Sequence, residues 1–231
     1  MMKLNNKEKL MGYMRQYEIN NIFTEDMSSY MELLYYKKNE YMVREGQEIP
    51  YLLFLTEGKA KVFTSLSNGK SLLLYFYQGF KVLGDLEVVD SVKAVTNVVA
   101  IADTYCVGIS YRNVRRFLLE DAKFLRYICS SLGGKLNRCS KNSSINLLYP
   151  LENRLASYIY TIGERISMNH KSMLVFNENL TEIAELLGAS YRHLLRTLSD
   201  LCERGILKKE GSTYLVIEEA ALMKLSADLY K

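Results

Sequence analysis

The sequence lacks the long apolar runs that mark a membrane protein. None of its segments reaches the roughly 18 consecutive apolar residues that a transmembrane helix requires. The first residues, "MMKLNNKEKLMGYMRQYE", carry charges throughout and have no apolar core of the kind found in signal peptides. We therefore expect a cytoplasmic protein with no membrane partner.

Histidine and cysteine, which supply many metal ligands and catalytic groups, are also scarce. The two histidines are His170 and His193. The four cysteines are far apart and form no C-x-x-C pair; they are Cys106, Cys129, Cys139 and Cys202. Because no Ser/His/Asp set, metal-ligand cluster or phosphate-binding loop is apparent, we expect no cofactor, no metal site and no enzymatic activity. Free thiols fit a reducing compartment. For Cys129 and Cys139, buried spacers are favoured over oxidation sensors.

Only two prolines occur, Pro50 and Pro150. Pro150 is a natural divider, because proline disrupts a helix interior but suits the first turn of a new helix. After it, a helical spacing of apolar residues predicts one helix face; its members are Leu151, Leu155, Ile159, Ile162 and Ile166. The segment "KSMLVFN" then predicts a short strand, and "EEAALMKLSADLYK" predicts a short amphipathic helix.

Before about residue 110, glycines separate short apolar runs at intervals of about ten residues. These glycines are Gly46, Gly58, Gly69, Gly79 and Gly84. The Asn68–Gly69 pair suits a two-residue hairpin turn, and "VTNVVAIADTYCVGIS" predicts another strand pair with a turn near Ala102. This rhythm predicts a small all-β roll or barrel.

After Tyr111 the pattern becomes helical and basic, with eight basic and two acidic residues in 111–150. A seam of residues spaced three or four apart runs along it: Leu125, Ile128, Leu132, Leu136, Cys139, Ser143 and Asn146. Packing within one chain would explain the first half of this seam, but Leu132 and Leu136 should need a second chain. We predict a helix over about 112–147 that joins a homodimer. Its basic face either lies near nucleic acid or is simply solvated.

The region from residue 179 to 198 carries the pattern of two capped helices around a glycine turn. Asn179 is predicted to cap the first helix, Gly188 to end it in the left-handed conformation, and Ser190 to cap the second. The expected apolar stripe of the second helix consists of Leu194, Leu195 and Leu198. The side chains left to point outward are those of Tyr191, Arg192, His193 and Arg196.

The continuation "CERGILKKEGSTYLVI" predicts a helix end at Gly205 and two strands joined by a turn at Glu210–Gly211. A winged helix-turn-helix of this kind places its second helix in the DNA major groove, where arginine can bind guanine with two hydrogen bonds. Lysines on the wing would contact phosphates. The predicted DNA-binding residues are Asn179, Ser190, Tyr191, Arg192, His193, Arg196, Lys208 and Lys209.

Charge alone does not decide the partner, since residues 151–231 carry ten basic and eleven acidic side chains. Residues 191–209 carry five basic against two acidic, so DNA binding requires this local face to be exposed. Two alternatives remain open: a helical hairpin with a solvated polar face, and an interaction module that acts through protein partners. An enzyme is the third and least favoured alternative.

Over about residues 35–217 the chain resembles the CRP/FNR family of bacterial transcription regulators. The resemblance rests on the combination of the glycine-punctuated roll, the long helix, "LENRLASYI" and "LTEIAELLGASYRHLLRTL". The run "SYRHLL" is similar to the YeiL branch of that family. The resemblance implies an α+β fold: an N-terminal β-roll of the cyclic-nucleotide-binding jelly-roll type, a long dimerisation helix and a C-terminal winged helix-turn-helix. The corresponding domains are 1–111, 112–149 and 150–231.

The resemblance also implies a homodimer that reads a palindromic site on double-stranded DNA, with RNA polymerase as a candidate further partner. Many relatives carry Arg and then Glu after the capping serine. Here Tyr191 and Arg192 follow Ser190, so the relatives' consensus site should not apply.

The sensor half departs further from the family. Gly84-Asp85-Leu86 resembles the Gly-Glu-Leu segment that holds the ribose in cyclic-AMP-binding relatives. Their Arg-Ser pair for the cyclic phosphate falls on Ala94 and Val95, and the nearest base, Lys93, is one residue away. A lysine also lacks the two-pronged guanidinium, so we predict weak or no cyclic AMP binding and an unidentified effector. The predicted effector pocket consists of Gly84, Asp85, Lys93 and Thr96.

Asp85 allows two interpretations from the sequence. It either contributes to ligand binding, as the resemblance implies, or it is a solvated acid in a turn.

Overall fold

The computed structural model describes residues 1–65, 71–90, 93–168, 171–226 and 229. The chain forms two compact units, the first built on residues 1–65 and 74–139 and the second on residues 66–73 and 140–231. Every helix in the described ranges is too short or too polar to cross a lipid bilayer.

The first unit is a roll of two antiparallel sheets, as predicted. One sheet has the strand order β1-β2-β9-β4-β7, and the other has the order β3-β8-β5-β6. The strands are β1 (Met2–Leu4), β2 (Met31–Tyr36), β3 (Tyr41–Val43), β4 (Tyr51–Glu57), β5 (Lys59–Ser65), β6 (Ser71–Gln78), β7 (Lys81–Leu83), β8 (Asn97–Ala100) and β9 (Thr104–Ser110). The helices are α1 (Lys7–Gln16), α2 (Asp85–Asp90), α3 (Tyr111–Phe117) and α4 (Ala122–Leu148).

The five-stranded sheet is buried on both faces. Along β4, Leu53 and Leu55 point into the roll, whereas Leu52 and Phe54 pack with residues of α1, α3 and α4 on the other face. A strand buried on both faces reads as a continuous apolar run rather than an alternating one, which explains "YLLFL". This double burial attaches the helices to the roll.

One of the predicted hairpins in the roll is wrong. The strands β8 and β9 lie on either side of Ala102, but they belong to different sheets and do not pair with each other. The chain crosses between sheets beside Gly58, where φ is +100° and a Cβ would lie 2.6 Å from the Asp103 carbonyl oxygen. The predicted Asn68–Gly69 turn lies outside the described residues.

The single helix predicted over 112–147 is two helices. Asp121 separates them, because its carboxylate accepts the backbone N–H groups of Lys123 (2.9 Å) and Phe124 (3.3 Å) and so caps α4. The same carboxylate accepts from the backbone N–H and the hydroxyl of Thr24, both at 2.7 Å. The start of α4 is therefore fixed by a residue almost a hundred positions away.

The predicted seam on α4 packs mostly against its own chain. Ile128 is fully buried, and Leu125 and Leu132 pack against the same core. The expectation that Leu132 would be exposed without a second chain is wrong, because it is half-buried against this core within its own chain. Leu136 does remain 71% exposed. The side chains of Ser143 and Asn146 lie outside the described residues.

The second unit contains α5 (Leu151–Ile162), β10 (Glu164–Met168), β11 (Lys171–Phe176), α6 (Leu180–Leu186), α7 (Tyr191–Glu203), β12 (Leu207–Glu210), β13 (Thr213–Val216) and α8 (Glu219–Ser226). Its sheet has the order β10-β11-β13-β12. Pro150 directly precedes α5, as predicted. Ile166 is not on that helix, because α5 ends before Gly163; Ile166 lies on β10 and is exposed.

Neither of the two cysteines predicted to be buried spacers, Cys129 and Cys139, is fully buried. Cys106 is buried inside the roll, and this burial raises the pKa of its thiol. Cys129 is exposed on α4, so the spacer interpretation is wrong for that residue. Cys139 and Cys202 are half-buried.

Candidate nucleic-acid interface and effector cavity

Side-chain and backbone caps form the turn between α6 and α7. The Asn179 side chain accepts the backbone N–H groups of Thr181 (2.9 Å) and Glu182 (3.4 Å) and caps α6 as predicted. At the other end, the N–H of Ala189 donates to the carbonyl of Ala184 at 2.8 Å, across Gly188 with φ +62°. This reverse turn needs the left-handed conformation that glycine adopts without strain.

The second helix of the motif, α7, begins at the predicted cap. The Ser190 hydroxyl accepts the backbone N–H of His193 at 3.2 Å. The buried stripe of α7 consists of Leu194, Leu198 and Leu201. The prediction for Leu195 is wrong: it is 36% exposed, because it lies one residue further round the helix than the i, i+4, i+7 stripe.

The polar residues at the start of α7 are exposed. Tyr191, Arg192, His193 and Arg196 all present their side chains to solvent. Arg192 and Arg196 are four residues apart, hence on one face, and neither forms an ion pair with another described residue. Arg204 differs from them, because it pairs with Glu152 and, at 2.9 Å, with Asp200.

The wing is the β12–β13 hairpin, in which Lys209 faces Tyr214 across the pair and the loop carries Gly211 at φ +62°. Lys208 and Lys209 are both exposed, but adjacent residues of a strand point to opposite faces. The Lys208 ammonium is 2.7 Å from the Glu210 carboxylate. The Lys209 ammonium lies 5.8 Å from the centre of the Tyr214 ring.

Sequence reasoning missed Arg154. Its guanidinium, on α5, donates a hydrogen bond to the Leu187 carbonyl at the end of α6. It thereby holds the first helix of the motif to α5 through a backbone group that the helix end leaves unpaired. The only local signal for this role is an arginine directly before the mostly apolar run "LASYI".

The first unit contains a cavity of about 490 Å³ beside α2 and α4. Of the predicted pocket residues, Gly84, Asp85 and Thr96 line it. Lys93 does not; it is exposed, and its membership of the pocket is a wrong prediction. The lysine that does line the cavity is Lys135 of α4, which the sequence analysis did not connect with this site.

The interpretation of Asp85 as a solvated turn residue is wrong. Asp85 begins α2 and is only 1% exposed. Its carboxylate accepts a hydrogen bond from the Ser131 hydroxyl at 2.8 Å and forms an ion pair with Lys135. Two residues of α4 thus hold this carboxylate in place.

Glu87 is a second acid at the cavity that sequence reasoning missed. It is buried, and burial raises the pKa of its carboxyl. A hydrogen bond from the backbone N–H of Val95 stabilises the ionised form and partly opposes that shift. A lone glutamate in a short helix gives no local signal of burial, because that depends on how α2 packs.

Comparison with known proteins agrees with this geometry. Residues 33–121 match the cyclic nucleotide-binding domain, and residues 153–225 match the Crp-like helix-turn-helix domain. The regulatory protein YeiL of Escherichia coli O157:H7 is 32% identical over 207 residues, which are 90% of this chain and 91% of YeiL. The chain belongs to the CRP/FNR family.

Two further CRP/FNR proteins match at lower identity. The CRP-like cAMP-activated global transcriptional regulator of Mycobacterium tuberculosis is 22% identical over 182 residues, covering 78% of this chain and 81% of that protein. The crystal structure of a CRP/FNR-family transcriptional regulator from Thermus thermophilus has the same fold, with a TM-score of 0.67 at 14% identity. The match covers 85% of this chain and 98% of that one.

These findings confirm the resemblance and the fold class predicted from the sequence. The chain is a transcription regulator of the CRP/FNR type, with a cyclic-nucleotide-binding-like roll and a DNA-binding helix-turn-helix.

Proposed function

We propose that this regulator acts as a homodimer that reads a palindromic DNA site with α7 and that its roll does not depend on cyclic AMP. The observation that carries the DNA-reading role is the pair of exposed arginines, Arg192 and Arg196, on one face of a helix that Ser190 caps. A regulator that works on DNA acts in the cytoplasm and uses no catalytic chemistry of its own. RNA polymerase is a candidate partner.

The residues of the interface divide into base readers and positioning residues. Tyr191, Arg192 and Arg196 lie at the end of α7 that enters the major groove in such motifs, with His193 beside them. Lys208 and Lys209 of the wing neutralise phosphates and carry no sequence information. Asn179 and Ser190 serve the interface by fixing where α6 and α7 begin.

The exposed face of α4 supports the homodimer. It carries Cys129, Gly133 and Leu136 in the described part of the helix. The described chain leaves room for a side chain at Gly133 and Gly134, because a Cβ at either position would meet no described atom within 4 Å. Each glycine nevertheless lowers helix stability by about 1 kcal/mol relative to alanine in a helix interior. A second copy packed closely against this face would account for both the glycines and the exposed leucine, and would place half-sites about 34 Å apart.

The domain boundaries are part of the proposal. We assign 1–111 to the sensor roll, 112–149 to the connecting helices and 150–231 to the DNA-binding domain. The boundary between the two compact units falls at residues 139–140, inside α4. This position fits a helix that connects the sensor roll with the DNA-binding domain.

The missing phosphate reader supports independence from cyclic AMP. The position of the relatives' arginine is occupied by Ala94, which is buried, and that of the serine by Val95. Without a guanidinium, an anionic ligand has no two-pronged partner there.

The central experiment selects bound genomic fragments with the full-length protein, with and without cell extract to supply an effector. Arg192→Ala or Arg196→Ala should then cost about 1–3 kcal/mol at one base position if that arginine reads a base. Arg112→Ala is the matched control, because it removes an exposed arginine from α3. The affinity of the protein for DNA should fall steeply as the salt concentration is raised.

Unchanged affinity and site preference in both α7 variants would overturn the assignment of the base readers. A folded protein that selects no DNA would overturn the DNA-reading role and favour a module that acts through protein partners.

A further inference from the structure

The charged side chains that line the cavity are already paired within the chain. Lys135 and Asp85 form an ion pair, and the Ser131 hydroxyl donates a further hydrogen bond to Asp85. The buried Glu87 carboxyl lies near the same lysine, whose charge favours its ionised form. Among the described lining residues, these are the three that carry formal charge. A charged ligand would therefore have to displace an internal partner or remain unpaired.

The remainder of the lining is mostly apolar. Aliphatic side chains come from both sheets and from α4, and they include Val43, Leu74, Leu83, Val98 and Leu132. The hydroxyls of Tyr75 and Tyr77, the two aromatic side chains of the described lining, lie 3.4 Å apart and pair with each other. At about 490 Å³ the cavity is within the range of small-molecule sites.

The balance of formal charge around the cavity gives an anion no excess of bases. Asp85 and Glu87 provide two acids on the lining against Lys135, and Arg138, whose guanidinium lies 5.5 Å from the centre of the Tyr75 ring, provides the second base. Transferring an ionised group into such surroundings without a new partner is strongly unfavourable. A cyclic phosphate would meet this penalty at the edge occupied by Ala94 and Val95.

We propose that this cavity takes a neutral, predominantly apolar small molecule rather than a cyclic nucleotide or another anion. The inference rests on the proposed function only in treating the roll as the sensor of a DNA-binding protein. The internal Asp85–Lys135 pair remains in place when the ligand binds, so α4 stays attached to the roll.

A matched pair of fluorescent probes tests the charge preference on the full-length protein. N-phenyl-1-naphthylamine is neutral, and 1-anilinonaphthalene-8-sulfonate has the same aromatic frame with a sulfonate added. We expect the neutral probe to bind at least about tenfold more tightly than the sulfonate. Cyclic AMP should not displace the neutral probe at micromolar concentration.

Two variants locate the binding. Val95 lines the cavity and is 49% exposed, so Val95→Trp should narrow it without disturbing the core, and should weaken the neutral probe about tenfold or more. Val89→Trp is the control, because Val89 lies on the same short segment, is 56% exposed and does not line the cavity.

Thr96→Arg keeps the test informative if Val95→Trp fails to fold. It places a cation on the lining and should shift the preference at least about tenfold toward the sulfonate. Equal binding of the two probes by the unmodified protein, displacement by cyclic AMP, or insensitivity to both lining variants would overturn the proposal. DNA selection is measured separately, so loss of DNA binding with normal probe binding contradicts only the proposed function.

Discussion

In the second unit, Arg192 and Arg196 lie exposed on α7 and pair with none of the described acids, whereas in the first unit Lys135 is bound to a buried acid beside the cavity. The two regions thus treat charged side chains in opposite ways. An exposed arginine is solvated by water and remains available for a base or a phosphate. An unpaired charge at the cavity is unfavourable, because the free energy of hydration that it loses on burial is not recovered without a partner of opposite charge.

The difference separates two kinds of specificity. In the proposed function, α7 selects DNA by charges that it leaves unpaired. In the proposed cavity site, the charges are already paired within the chain, so an apolar ligand binds without displacing a partner and a charged ligand does not. The following predictions test this contrast, beginning with the largest effect.

Breaking the buried ion pair should have the largest effect on stability. Lys135→Met leaves Asp85 charged and almost fully buried with only Ser131 as a side-chain partner among the described residues, and should lower the free energy of unfolding by about 3–5 kcal/mol. Urea denaturation followed by circular dichroism measures the change. The exposed Lys141→Met on the same helix is the control.

Removing both charges distinguishes pairing from simple packing. The double variant Asp85→Asn with Lys135→Met should recover most of the loss, because it leaves no unpaired buried charge. A double variant as unstable as Lys135→Met would contradict the account of the cavity as a site whose charges satisfy each other.

The buried stripe of α7 gives the next largest effect. Leu198→Ala should cost about 2–5 kcal/mol, since it empties a fully buried position. Leu195→Ala should cost less than about 1 kcal/mol, because Leu195 is partly exposed. Thermal or urea unfolding compares them, and equal losses would show that the burial assigned to the two leucines is wrong.

The cap of α7 should have a smaller effect. Ser190→Ala removes the acceptor for the N–H of His193 and should cost about 1 kcal/mol, whereas Ser190→Gly should cost only a few tenths. The urea midpoint of each variant measures this cost. If alanine is tolerated as well as glycine, the hydroxyl does not cap the helix.

The wing should have the smallest and least selective effect. Lys209→Ala should weaken binding to all DNA sequences alike and reduce the slope of log affinity against log salt by about one. Fluorescence anisotropy at several salt concentrations measures the slope. A change confined to one base position would instead make Lys209 a base reader.

Much of the helix-turn-helix could be predicted because its signals are local. The caps at Asn179 and Ser190 act within three residues of their own position, and Gly188 acts on the turn that contains it. The exception is Leu195, whose exposure depends on how α7 sits against its neighbours rather than on hydrophobicity. The break between α3 and α4 was missed even though Asp121 caps α4 through equally local bonds to the N–H groups of Lys123 and Phe124.

The cavity could be predicted only in outline. Lys93 was the obvious base because it is near in sequence, but the base that reaches Asp85 is Lys135, fifty residues away on another element. The burial of Asp85 and Glu87 likewise depends on the packing of α2 and α4.

Local signals in the chain were enough to specify most strands of the roll, the winged helix-turn-helix and the side chains presented at the start of α7, because caps, glycines and apolar spacing act over a few residues. Two features depended instead on the folded arrangement: which charges pair inside the cavity and which face of α4 remains uncovered. Those outcomes depend on groups brought together from distant positions, where burial makes an unpaired charge unfavourable and a partner necessary.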